Sequence, residues 1–157
     1  MKQIIILFTV LLIYAVGLDA KTSGPWMITK TIDEMTDKLT IVYTTKIKGN
    51  LSIVIYDENG DNTADSIKFV FGKKYLNNGE FCDFSYRIDG EEPVETQAWC
   101  DGPSALIEGM TNAIIRDMLY GKKMVVRVRA YNGNEYTESF NLESYKSGIK
   151  VLSEDAE

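Results

Sequence analysis

The chain has 157 residues, 45% hydrophobic and 25% charged, and its excess of acidic over basic side chains gives a net charge of −6. That length suits one ordinary domain with its own core. An acidic chain without a basic run cannot neutralise phosphates, which excludes nucleic acid as a partner and makes anionic lipid a poor one. The chain has no histidine, which excludes Ser-His-Asp and Cys-His catalysis and the usual His-bearing zinc site. Paired-carboxylate chemistry stays open, but no two acids stand out as a pair. The expectation is a protein that is not an enzyme and takes no cofactor.

Residues 1–20 read as a secretion signal. Lys2 precedes an apolar run from Ile4 to Val16, followed by the small residues Gly17 and Ala20. The run is too short for a spanning helix, which needs ~20 apolar residues. Cleavage after Gly17 or after Ala20 leaves a mature chain with no transmembrane segment, periplasmic or secreted; with a mature chain starting near Lys21, Lys2 and Asp19 leave together and the net charge is unchanged. Residues 21–157 then form one β-rich domain, with a flexible tail over 153–157.

Short β-prone runs follow, punctuated by Asn59-Gly60, Asn78-Gly79, Asp89-Gly90, Asp101-Gly102 and Asn132-Gly133. This spacing predicts antiparallel strands near 25–31, 39–48, 51–57, 66–72, 82–89, 94–100, 123–131 and 134–142. Between the sixth and seventh, Leu106, Ile107, Met110, Ile114, Ile115, Met118 and Leu119 fall on one helical stripe. The predicted helix has Ser104 as N-cap and Gly121 as its stop, and its stripe packs on a core. A short helix or strand is expected within 142–152. The fold class is therefore mainly β (β-rich α+β): an antiparallel β-sandwich or open barrel with one amphipathic helix packed on it.

Asn50-Leu51-Ser52 fits an N-glycosylation sequon, meaningful only in a eukaryotic secretory pathway. Asp57 to Asp65 has Asp57, Asn59 and Asp61 at calcium-loop spacing. Asn62 stands where a loop glycine is needed, and Lys68 where the closing glutamate is needed. An acidic turn is expected there, with no metal.

Cys82–Asp89 and Val94–Cys100 flank Gly90-Glu91-Glu92-Pro93 and should form a hairpin. A five-residue loop places Cys82 opposite Cys100, within disulfide range, whereas a four-residue loop makes them diagonal. In an oxidising compartment a structural Cys82–Cys100 disulfide is expected, contributing ~3 kcal/mol. The same register sends Phe84, Tyr86, Ile88, Val94, Thr96 and Ala98 to the core. It leaves Asp83, Ser85, Arg87, Asp89, Glu95, Gln97 and Trp99 on the other face, with Arg87 opposite Glu95. A tryptophan among polar neighbours is either a partner anchor or covered by another element. In the last hairpin a two-residue Asn132-Gly133 loop sets Arg127 opposite Glu138 and Arg129 opposite Tyr136, as cross-strand pairs or as a pair able to hold an anionic group.

The resemblance that these elements carry is to one family. Gly24-Pro25-Trp26 followed by Asp37, Phe71-Gly72-Lys73-Lys74-Tyr75-Leu76, Tyr86-Arg87-Ile88-Asp89-Gly90, Gln97-Ala98-Trp99, Met124–Tyr131 and Phe140-Asn141-Leu142 resemble, in order, the type VI secretion-associated VasI/TagO-like family of small exported bacterial proteins. The likeness runs from Trp26 to about Leu152. It implies an exported, non-catalytic accessory protein that binds an envelope protein or cell-wall component, with Trp26, Arg87, Asp89, Trp99 and Arg127 as the matching positions able to meet a partner. The family's cysteines near Leu51–Tyr56 and the C-terminus have no counterparts here, so its disulfide does not transfer. The alternative is an inhibitor of a lysozyme-type cell-wall hydrolase, reaching the enzyme's cleft with the Asp57–Asp65 or Gly90–Pro93 turn. A carboxylate-dependent glycan hydrolase comes third.

Overall fold

The structure is a computed structural model that describes residues 21–23, 25–33, 35–47, 51–61 and 63–150. The expected signal segment, the Asn50 sequon and the 153–157 tail lie outside the described residues. The strands are β1 (Lys21–Ser23), β2 (Trp26–Asp33), β3 (Lys38–Lys46), β4 (Ser52–Asp57), β5 (Ser66–Val70), β6 (Asn77–Ile88), β7 (Val94–Gly102), β8 (Ser104–Glu108), β9 (Lys123–Arg129) and β10 (Glu135–Asn141); the helices are α1 (Thr111–Tyr120) and α2 (Lys146–Ile149). All the strands pair antiparallel in one sheet of order β1-β2-β3-β4-β5-β8-β7-β6-β9-β10. The sheet curls into a half-barrel, the open-barrel form of the expectation.

Alternation builds the core. Ile53 and Ile55 of β4, Ile67 and Phe69 of β5, Ala105 and Ile107 of β8, Ala98 and Cys100 of β7, Phe84 and Tyr86 of β6, and Val126 and Val128 of β9 are all buried on one face. Each buried Ile, Val or Phe among them contributes ~1.5–3 kcal/mol relative to an exposed position. α1 lies on that same face. Its Ile114, Ile115 and Met118 are buried, and its Asp117 Oδ2 accepts a hydrogen bond from the Tyr86 hydroxyl at 2.9 Å. Burial and that hydrogen bond to a carboxylate hold the Tyr86 phenol well above the ordinary tyrosine range.

α2 joins the two ends of the sheet. It follows β10 through Leu142 and Tyr145, and it meets Trp26 of β2 from the far end of the strand order. The Trp26 indole N–H donates to the Tyr145 carbonyl at 2.7 Å, and Gly148 of α2 lies flat against the indole, where a Cβ would collide with the ring. Trp26 is 1% exposed.

The predicted helix from Ser104 is corrected in its first turn. Ser104–Glu108 is the strand β8, the helix begins at Thr111, and its N-cap is Met110. Ala105 and Ile107 are buried while Leu106 is half-buried on the other face. Period two therefore describes this segment as well as period 3.6 does, and pairing with both β5 and β7 decides for the strand. Gly121 is the C-cap as expected. β1 and the Asn77–Phe81 part of β6 lie outside the predicted strands.

The expected disulfide is also corrected. Ile88, Asp89, Gly90 and Glu91 form a tight turn, with the Glu91 N–H on the Ile88 carbonyl at 2.9 Å and positive φ at both Asp89 and Gly90, the backbone of a type I′ turn. Glu91–Pro93 then carries one residue more than Arg87–Ile88 before pairing resumes at Tyr86 and Val94. The ladder is drawn in by two residues from the expected register: Tyr86 pairs with Val94, Cys82 with Ala98 and Glu80 with Cys100. A shift of two keeps every side chain on its expected face but makes the cysteines diagonal, where Cα separations are ~7–8 Å against the ~4.4–6.8 Å of a disulfide. Cys82 and Cys100 are buried free thiols. Burial, and then the hydrogen bond between the two, push the Cys100 thiol well above its ordinary range.

Candidate functional site

The helices cover the core face, so the opposite face of β6, β7 and β9 meets solvent. Alternation sends Phe81, Asp83, Ser85 and Arg87 of β6 outward, with Glu95, Gln97 and Trp99 of β7 beside them. The Phe81 and Trp99 rings pack edge to face, centroids 5.3 Å apart at 82°, yet stay 64% and 44% exposed. Leaving an aromatic pair this open is unusual, because burying one such ring removes 150–250 Å² from water.

Next to this pair lies an open groove of about 370 Å³, lined by Asp83, Ser85, Glu95, Thr96, Arg127, Arg129 and Glu135. Its charges are largely matched internally. The Arg129 guanidinium donates to Glu135 Oε1 at 2.9 Å and lies 3.5 Å from Asp83, while Arg127 stands 4.0 Å from Glu135. The Arg129 hydrogen bond, helped by the charges of Arg129 and Arg127, holds the Glu135 carboxyl below the usual carboxylate range. The same hydrogen bond and charge raise Arg129 further. A general acid needs the opposite, a carboxyl held protonated. Ser85 faces Glu95 and Arg127 across the ladders, and the chain holds no histidine to serve as its base. Rigid strands here present an apolar anchor beside paired charges, an arrangement suited to holding a partner.

No protein-family model, curated protein or solved structure matches the chain. The chemistry of the site rests on its geometry.

Of the five expected partner positions, Trp99 and Arg127 reach this face together. Trp26 does not, and its placement is a correction: the indole is sealed under α2. Asp89 is exposed in position, but its carboxylate accepts the backbone N–H groups of Lys122 and Lys123 at 2.7–3.0 Å. It joins the β6–β7 turn to the start of β9. Arg87 sits opposite Val125 of β9, not opposite Glu95, which faces Ser85. With Asp89, Glu91, Glu92, Asp117 and Tyr120 it borders a separate hollow of about 220 Å³ at the turn.

Arg127 is opposite Thr137 and Arg129 opposite Glu135, one residue from the expected pairing. The reason is the loop. Ala130 pairs with Asn134, and Gly133 takes φ +81°, giving a three-residue turn closed by a left-handed glycine. A one-residue slip changes which side chains share a face, and it brings Glu135 to the two arginines.

Phe81 and Glu135 complete the site without a signal singled out in the sequence, while Asp83 stands on the face expected for it and Arg129 beside Arg127 as expected. Extending the alternation of Asp83 and Ser85 back through Phe81 would have found the aromatic pair. Reading Asn132-Gly133 as part of a three-residue turn would have found the ion pairs.

In the Asp57–Asp65 segment, Asp57 Oδ1 accepts the N–H groups of Asn59, Gly60 and Asp61 at 2.6–3.2 Å, and Asp65 Oδ2 accepts that of Glu58 at 2.7 Å. These carboxylates tie the turn together. Among the described residues no group of three or more His, Cys, Asp or Glu is placed to hold a metal ion, and no helix is long and apolar enough to cross a membrane.

Proposed function

We propose that this chain is an exported, non-catalytic accessory protein of the bacterial cell envelope that works by binding a partner through the outer face of β6 and β7. The observation that carries this reading is the exposed Phe81–Trp99 pair beside a groove in which Asp83, Arg127, Arg129 and Glu135 are already engaged with one another. Exposed aromatic anchors next to polar groups are what binding surfaces concentrate. The resemblance to the VasI/TagO-like family adds type VI secretion as the setting. Affinity capture from a bacterial envelope extract tests it, with the wild-type chain against Trp99→Ala. Partner recovery that falls sharply in the folded variant supports the reading. Equal recovery by both contradicts it.

A second reading, inhibition of a lysozyme-type hydrolase, is favoured by one specific observation. The β6–β7 turn presents Glu91 and Glu92 beside Tyr120, which is 77% exposed, as an acidic, tyrosine-bearing projection that suits a basic enzyme. A lysozyme turbidity assay with Glu91→Gln/Glu92→Gln as control decides it: inhibition lost in the variant supports the second reading, and no inhibition removes it.

A further inference from the structure

The register carries one line of side chains across the outer face that is apolar at both ends. Phe81 is opposite Trp99, Trp99 opposite Leu106, Leu106 opposite Lys68, Lys68 opposite Val54, Val54 opposite Thr44 and Thr44 opposite Met27. Six steps between strands span roughly 29 Å at ~4.8 Å each. Its two ends are open, with Met27 50% exposed at one and Phe81 and Trp99 at the other. Lys68 does not break the line at the aromatic end. Its ammonium donates to the Tyr56 hydroxyl at 3.1 Å and lies over that ring, drawn toward β4.

The rim at the aromatic end is acidic. Asp83, Asp101 and Glu108 stand two residues along their strands from Phe81, Trp99 and Leu106, and all three are exposed. Asp83 lies 3.5 Å from Arg129, whose stronger contact is Glu135. Among the described residues Asp101 and Glu108 form no ion pair. The chain as a whole carries −6.

We infer that the Phe81–Trp99–Leu106 end of this line is the docking site for a basic protein segment, which sets an apolar side chain against Trp99 and lays Lys or Arg against Asp101 and Glu108. The inference rests on the binding reading above and names the chemistry of the partner. An apolar centre flanked by two unpaired acids complements a cationic amphipathic chain in both respects, and it repels acidic proteins and anionic lipid. The rim charges raise the encounter rate and make it salt-sensitive, while the aromatic pair slows release.

Trp99 supplies the readout, because the other tryptophan, Trp26, is sealed in the core. The probes are an amphipathic Leu/Lys peptide and its Leu/Glu counterpart, followed by acrylamide quenching of tryptophan fluorescence. The Leu/Lys peptide is expected to protect Trp99, and the Leu/Glu peptide to leave it open. Affinity should fall about tenfold or more in Phe81→Ala and weaken clearly in Asp101→Asn/Glu108→Gln. Glu91→Gln/Glu92→Gln at the distant turn should bind as the wild type does. All these positions are exposed, and unchanged thermal unfolding confirms that the variants fold. The inference is overturned by equal binding of the two peptides, by equal weakening from the turn and rim pairs, by no protection of Trp99, or by protection from a soluble peptidoglycan fragment in place of the peptide. If Trp99→Ala still abolishes envelope capture while the Leu/Lys peptide gives no protection, the inference fails and the binding reading stands. If capture is unchanged in Trp99→Ala, the binding reading itself fails.

Discussion

Four side chains whose types invite a functional reading serve the fold instead. Trp26 and Asp89 hold elements together, and the two cysteines fill the core as thiols. Gly148→Ala puts a methyl into the Trp26 ring and should cost about 1–3 kcal/mol, measured by urea unfolding. Cys82 and Cys100 should resist alkylation in the native protein and both react once it is unfolded, with no loss of mass from an oxidised pair. Glu135 behaves differently because it is exposed. Its folded pKa is depressed by Arg129, so the contribution to stability is present above the ordinary carboxylate range and is lost as pH falls through the folded value. In Arg129→Gln the Glu135 carboxyl should titrate back toward its ordinary range, as followed by NMR; an unchanged titration would show that the pair is not formed in solution. For Tyr86 the sign is reversed. Its raised pKa favours the folded state below the ordinary tyrosine range and gives that up at higher pH, and Tyr86→Phe should remove the effect along with about 1–2 kcal/mol.

Elements show where local pattern suffices and where it does not. Strict alternation in Ile53–Ile55, Phe84–Tyr86 and Val126–Val128 makes strand positions and faces readable from the residues alone. Turn geometry was harder to read. Asp89-Gly90 and Asn132-Gly133 announce turns, but whether two or three residues form the loop decides the register, and that is settled by contacts with other strands. The first hairpin moved by two residues and kept its faces, and only the cysteine pairing changed. The second moved by one and brought Glu135 onto Arg129. Ser104–Glu108 fits both periods, and only its two neighbouring strands, distant in sequence or folded back beside it, distinguish them. Gly133→Ala tests the turn: no atom lies within 4 Å of the added Cβ, so the expected loss of about 1–2 kcal/mol is the cost of a left-handed L-residue alone. No loss in thermal or urea unfolding would mean the loop is not three residues long.

At the scale of the whole molecule, a sheet of ten strands curls around α1, and α2 joins its opposite ends through Trp26, Tyr145 and Gly148. The helices take the concave face, which leaves the outer face of β6, β7 and β9 open and decides that Trp99 is available while Trp26 is not. A chain ending at Leu142 should lose cooperative unfolding and shift Trp26 fluorescence to the red; unchanged emission would show that α2 does not close the sheet. The central claim is that the Trp99 face, and not the Glu91–Tyr120 turn, meets the partner. The most direct test replaces Trp99 or Tyr120, each in turn, by a photoreactive phenylalanine analogue and irradiates the folded protein in envelope extract. The account predicts a discrete crosslinked product from position 99 and none from position 120. A product from position 120 alone would contradict it.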